Sequence, residues 1–73
     1  LTLPHSLARV RLTIHALDGR VVRRLHDGAL PGGAHELRWD GRDDAARTLS
    51  AGVYFYRLET PGHTLTRKLA LTR

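Results

Sequence analysis

Cysteine is absent from this chain, and its absence removes both a disulfide framework and a thiolate zinc site as means of stabilising a small protein. Lysine occurs once, at Lys68, and tryptophan once, at Trp39. No apolar run approaches the ~20 residues of a membrane-spanning helix, and no signal peptide opens the chain. Nor is there room for a long helix. Turn signals recur too often: Asp18-Gly19, Asp27-Gly28, Pro31-Gly32-Gly33, Asp40-Gly41, Gly52 and Pro61-Gly62.

With 73 residues the chain reads as one domain over 1–73. A domain of that size buries only ~60% of the surface its unfolded form exposes, so the expected core is thin and stability modest. Twelve Lys and Arg against seven Asp and Glu give a formal charge of +5. This excess favours anionic partners, whether nucleic acid, lipopolysaccharide or an acidic protein face, and does not choose among them. Leu1 is not an initiator methionine, and the opening residues read as the tail of a strand. The sequence is therefore expected to be a fragment of a longer secreted protein.

Spacing of about 8 to 12 residues between turn signals marks short antiparallel strands. The expected fold is all-β: a small immunoglobulin-like antiparallel sandwich of six to seven strands with the first truncated. From Ala8 to Leu17 the pattern alternates, with Val10, Leu12, Ile14 and Ala16 on one face and Arg9, Arg11, Thr13 and His15 on the other. Asp18-Gly19 suits a two-residue type I′ hairpin, making Arg20 to Leu25 the returning strand. Its parity is poor, because Val21, Arg23 and Leu25 share a face while Val22 sits on the other, so a bulge or an edge position is expected. Ala34 to Asp40 reads as a strand with Trp39 as the largest contribution to the core. Gly41 to Ala51 is polar and irregular and reads as a long connection between sheets.

Val53 to Glu59 carries apolar groups on both faces, which suggests a central strand. Thr60-Pro61-Gly62-His63 turns the chain, and Thr64 to Leu71 returns with Leu65, Leu69 and Leu71 inward and the Arg67 stem over apolar surface. This closing hairpin leaves a charged end that another protein could read, which points to recognition rather than chemistry.

Residues with chemical potential are scattered. His5, His15, His26, His35 and His63 lie on different elements without paired ligand spacing and read as solvated or rim histidines. Asp40, Asp43 and Asp44 could offer oxygens to calcium, but they read better as turn-capping aspartates. Ser6 and Ser50 lack a nucleophile-elbow motif. Gly32-Gly33 opens no helix and makes a poor phosphate cradle. Arg9, Arg11, Arg20, Arg23 and Arg24 could form a basic strip. The aromatics are needed in the core, however, so the strip reads as a solubilising face that protects an edge, and no nucleic-acid partner is expected. No catalytic residue, metal site or cofactor is expected. Asp18, Gly19, Trp39, Asp40, Gly41 and Tyr56 read as structural turn and core positions.

Across nearly the whole chain the sequence resembles the FlgD-like immunoglobulin-type domain, also seen as the type A C-terminal sorting domain of the bacterial type IX secretion system. The resemblance is carried by Leu3-Pro4, Val10-Arg11-Leu12-Thr13-Ile14 with Asp18-Gly19-Arg20-Val21-Val22, Gly33 to Trp39-Asp40-Gly41, Leu49-x-x-Gly52-x-Tyr54 and the basic close Arg67-Lys68-Leu69-Ala70-Leu71. It implies a seven-stranded sandwich without enzymatic activity that directs an attached upstream cargo domain across the outer membrane. Translocon and sorting components would bind it through Gly52, Tyr54, Lys68, Leu69, Leu71 and Arg73, and the protein would reach the exterior or cell surface by way of the periplasm. The alternative is a structural scaffolding domain like that of the flagellar hook-cap protein; a carbohydrate- or nucleic-acid-binding sandwich is a weaker third. Two departures stand out. The family's opening Asn-Pro segment is missing, and Asp44-Ala45-Ala46-Arg47 replaces a loop that tends to hold glycine, which argues against a positive-φ turn there.

Overall fold

Alternation of apolar and polar side chains from Ala8 onward produces a strand, β2 (Leu7–His15), which lies in the interior of a four-stranded antiparallel sheet. The computed structural model describes residues 2–3, 7–34 and 38–72, and among them there are six strands and no helix. Besides β2 these are β1 (Thr2–Leu3), β3 (Val21–Leu30), β4 (Gly33–Ala34), β5 (Gly52–Thr60) and β6 (His63–Leu71). The main sheet has the order β3-β2-β5-β6, and β1 pairs with β4 in a separate two-stranded ladder. All pairings are antiparallel. The all-β expectation holds, and β5 is central, as its two apolar faces require.

The β5–β6 hairpin follows the sequence closely. Pro61 and Gly62 form the two-residue connection between the paired Thr60 and His63, and the register runs without interruption to Gly52 opposite Leu71. Pro presets φ for the first central position, and Gly62 supplies the positive φ (80°) of the second. The first hairpin is built differently. The Gly19 N–H donates to the Ala16 carbonyl (3.0 Å) and the Ala16 N–H to the Arg20 carbonyl (2.9 Å), so Leu17 and Asp18 form the centre of the turn. Of the residues between the strands only Gly19 has a positive φ, at 90°. This is a three-residue loop ending in a left-handed glycine, in place of the expected type I′ turn. Asp18 stays at negative φ because its carboxylate holds the Arg20 N–H at 2.9 Å, an Asx-type contact that competes with the I′ geometry.

Asp27-Gly28, expected to turn, lies inside β3: Asp27 pairs with Arg11 and Gly28 with Val10. The poor parity of this segment is resolved as anticipated, by an edge position and register shifts at Leu7/Val10, Leu12/Thr13 and Ile14/His15. The expected strand from Ala34 to Asp40 is not formed as read. Only Gly33–Ala34 is strand, 38–40 are irregular, and 35–37 lie outside the described residues, as do His5, Ser6 and Arg73.

Val10, Ile14 and Val22 form the buried apolar core. Full burial of one such side chain contributes about 1.5–3 kcal/mol, so three of them make the thin core that the chain length implies. Trp39 is only half-buried. Thr13 and His15, expected on the solvent face, are buried as well. They sit on an interior strand opposite Arg57 and Phe55 of β5. On the other face Leu12, Leu25, Tyr56, Leu58, Leu65 and Leu69 line an open apolar trough of about 410 Å³ that ends at Trp39.

Candidate assembly surface

The segment between Trp39 and Ser50 is short of hydrophobic side chains, so polar contacts must give it its shape. Asp43 is the organising residue. Its Oδ1 accepts from the N–H groups of Ala45 and Arg47, each at 2.9 Å, and its Oδ2 accepts from Arg47 Nε at 3.0 Å. Backbone bonds close the same turn: Asp43 N–H to the Arg47 carbonyl and Ala46 N–H to the Asp43 carbonyl, both 3.0 Å. One residue outward, Arg42 and Thr48 form a β-bridge, and the Leu49 N–H reaches the Gly41 carbonyl at 2.9 Å. What reads in sequence as an irregular crossing is a miniature hairpin.

The Arg47 N–H bond lowers the Asp43 carboxyl below its ordinary range; partial burial opposes this, while the Ala45 N–H and the Arg47 guanidinium reinforce it. Ala46 closes the turn with a φ of 63°. The positive-φ turn is thus kept without the family's glycine, contrary to expectation.

The loop also seals an edge of the sheet. The Asp44 N–H donates to the Val22 carbonyl (3.1 Å), and the Arg24 N–H donates to Asp44 Oδ1 (3.0 Å). Arg23 of β3 donates from Nη1 to the Asp43 carbonyl at 3.1 Å, while its guanidinium lies 4.0 Å from Asp40 and 3.9 Å from Asp44. Asp40 in turn caps the Arg42 N–H at 3.0 Å. The three aspartates therefore act as turn caps around an arginine. Among the described residues no cluster of three acidic or histidine side chains has a metal-binding arrangement.

Both ends of the loop are tied to an aromatic pair. Trp39 meets Tyr54 edge-on, with ring centroids 5.3 Å apart and planes at 73°. Trp39 Nε1 donates to the Arg42 carbonyl at 2.9 Å, and the Tyr54 hydroxyl donates to the Ser50 carbonyl at 2.7 Å. Tryptophan here anchors the loop instead of filling the core. Between the loop and the start of β3 lies a polar hollow of about 540 Å³ flanked by Arg20, Asp44 and Arg47.

The residues expected to mediate recognition fall into two places. Gly52 pairs with Leu71 and Tyr54 with Leu69 across the β5–β6 register, and Lys68, opposite Phe55, projects from the other face and is exposed. Arg73 lies outside the described residues. Of the structural positions, Asp18 and Gly19 make the first loop, Asp40 and Gly41 open the second, and Tyr56 is half-buried in the trough. Sequence reading missed the Arg23 clamp, whose three partners lie about 20 residues away. It also missed the buried pair Thr13 and His15, in which Oγ1 and Nε2 are 2.8 Å apart while Nδ1 lies 3.0 Å from the Gly19 carbonyl. A carbonyl only accepts, so Nδ1 is a donor nitrogen in this contact. Spacing held two signals: Asp43 and Arg47 are four apart, and Thr13 and His15 two apart on a strand.

The capped turns and the clamped loop are parts of an all-β, immunoglobulin-like class of domain, and the FlgD Ig-like domain family matches residues 1–62; the chain belongs to that family. Among its relatives are the basal-body rod modification proteins FlgD of Salmonella typhimurium and Salmonella typhi. Each is 44% identical over 46 residues, covering 63% of this chain and 20% of the relative. The chain thus corresponds to a small part of these relatives. No solved structure gives a significant match. These relatives overturn the sorting-signal expectation, and with it the outer-membrane translocon and sorting proteins as partners, because they are named for the basal-body rod. The basic closing strand that suggested an address label lies largely beyond the matched residues 1–62.

Proposed function

We propose that this chain is a non-catalytic structural module of a flagellar assembly factor, acting as the scaffolding domain of a hook-cap-type protein outside the cytoplasm. The observation that carries this reading is the 44% identity to the basal-body rod modification proteins. The geometry is consistent with it: the most elaborate hydrogen-bonding network described, around Asp43, fixes a loop to a sheet edge and presents Arg42 and residues 44–48 to solvent. A rigid protruding loop on a small sandwich suits repeated contact with rod or hook subunits, since little order is lost on binding.

A chimera tests the proposal. The matching segment of Salmonella typhimurium FlgD is replaced by this chain, and flagellation and swimming are scored beside the accumulated protein. Retained hook assembly is the expected result. A chimera that accumulates in folded form yet builds no hooks would remove the assembly reading.

A further inference from the structure

The two edges of the sheet are unlike. On β3 the register is broken three times and Asp44 occupies backbone groups of Val22 and Arg24. On β6 nothing equivalent occurs among the described residues. Its nine residues pair with β5 without a bulge, contain no proline and no acidic side chain, and are exposed from His63 to Lys68. Long regular edges with unpaired backbone are templates for another strand.

Hairpin geometry identifies the groups on offer. A two-residue turn makes Thr60 and His63 a mutually hydrogen-bonded pair, and such pairs alternate along an antiparallel ladder. Thr64, Thr66, Lys68 and Ala70 therefore aim their N–H and C=O groups away from β5. Thr66 fits this: among the described residues its carbonyl receives Arg67 Nη1 at 3.5 Å, a long contact that a better donor would replace.

We propose that β6 is a strand-addition site for one extended segment of a partner protein, whose apolar residues face the trough and whose acidic residues face Lys68. Leu65 and Leu69 form the trough wall along this edge, so an added strand with apolar residues on that face would extend the wall. Lys68, exposed on the face opposite the trough and with no carboxylate on the strand, complements acidic side chains on that face. Arg67, on the trough face, opposes a second copy of this chain, because antiparallel self-pairing about the strand centre sets it against its own counterpart. The inference supplies a partner chemistry for the assembly reading, on which its biological meaning rests, but its test uses no flagellar protein and so fails or succeeds separately.

The probe is a capped nine-residue peptide of alternating valine and glutamate, with a valine and lysine peptide as control, titrated into the isotope-labelled chain and followed by amide chemical shifts. Saturable shifts are expected at Thr64, Thr66, Lys68 and Ala70 with the acidic peptide, weakening as salt is raised. Lys68→Glu should weaken that peptide at least about tenfold and favour the lysine peptide. Thr66→Pro removes an N–H that β5 does not use, so the sheet should persist while affinity falls at least about tenfold. Should that variant fail to fold, Lys68→Glu and the salt series decide. No saturable shift at millimolar peptide, equal binding of both peptides, or shifts centred on Arg24 and Asp44 would overturn the proposal.

Discussion

Ala46 holds a left-handed backbone conformation, the only non-glycine to do so among the described residues. For an alanine this costs roughly 1–2 kcal/mol, while a glycine there adds about 0.4–1 kcal/mol of unfolded-state entropy to be overcome. Ala46→Gly is therefore expected to stabilise the protein by about 0.5 kcal/mol, seen as a rise of roughly 2–4 °C in Tm. Asp43 contributes a pH dependence of defined sign. Its carboxyl titrates below the ordinary range, so the folded state binds its proton less readily than the unfolded state does. The stabilisation is complete above the ordinary aspartate value of about 4 and is lost as pH falls through the lowered folded value. Asp43→Asn removes this titration. Denaturation midpoints of the two proteins should converge as pH is lowered from about 5 to 2, and a constant gap would show that Asp43 acts through shape alone.

At the scale of elements, the contact that matters most is the docking of the Asp40–Leu49 loop on β3. Arg23 supplies its only described cation from the sheet, with a charged hydrogen bond to the Asp43 carbonyl and two longer ion pairs. Arg23→Met keeps the aliphatic stem and should cost about 1 kcal/mol in urea unfolding, mainly through the lost hydrogen bond, since half-exposed ion pairs contribute little. Hydrogen exchange at Asp44 and Arg24 should accelerate beyond this global change if the clamp holds the loop locally. These elements were unequally legible. Alternation sufficed for β2, and Pro61-Gly62 with two apolar faces sufficed for the β5–β6 hairpin, because period and turn chemistry are local properties. Asp27-Gly28 misled because pairing with Val10 and Arg11 overrode its turn preference. Trp39 misled for a related reason: its indole N–H needs an acceptor, found on the loop at Arg42, which holds the ring at the margin of the core.

Taken whole, the described residues form a thin core, with one sheet edge closed by an acidic loop and the other, β6, paired only with β5 among them. Composition made the thin core and the cationic excess visible, but not the asymmetry of the edges, since that depends on contacts between residues 20 positions apart. Of the candidate recognition residues, strand alternation puts Gly52, Tyr54, Leu69 and Leu71 on the trough face and Lys68 on the opposite one, while Arg73 lies outside the described residues. In the proposed scaffolding role, the fixed loop and the accessible strand are the working surfaces.

Residue-resolved hydrogen exchange of the unmodified chain tests this asymmetry directly. The amides of Arg24 and Asp44, on the closed edge, should be protected, whereas those of Thr64, Thr66, Lys68 and Ala70 should exchange orders of magnitude faster than their neighbours Leu65, Arg67 and Leu69. Protection of all seven β6 amides alike, or rapid exchange at Arg24 and Asp44, would contradict the account.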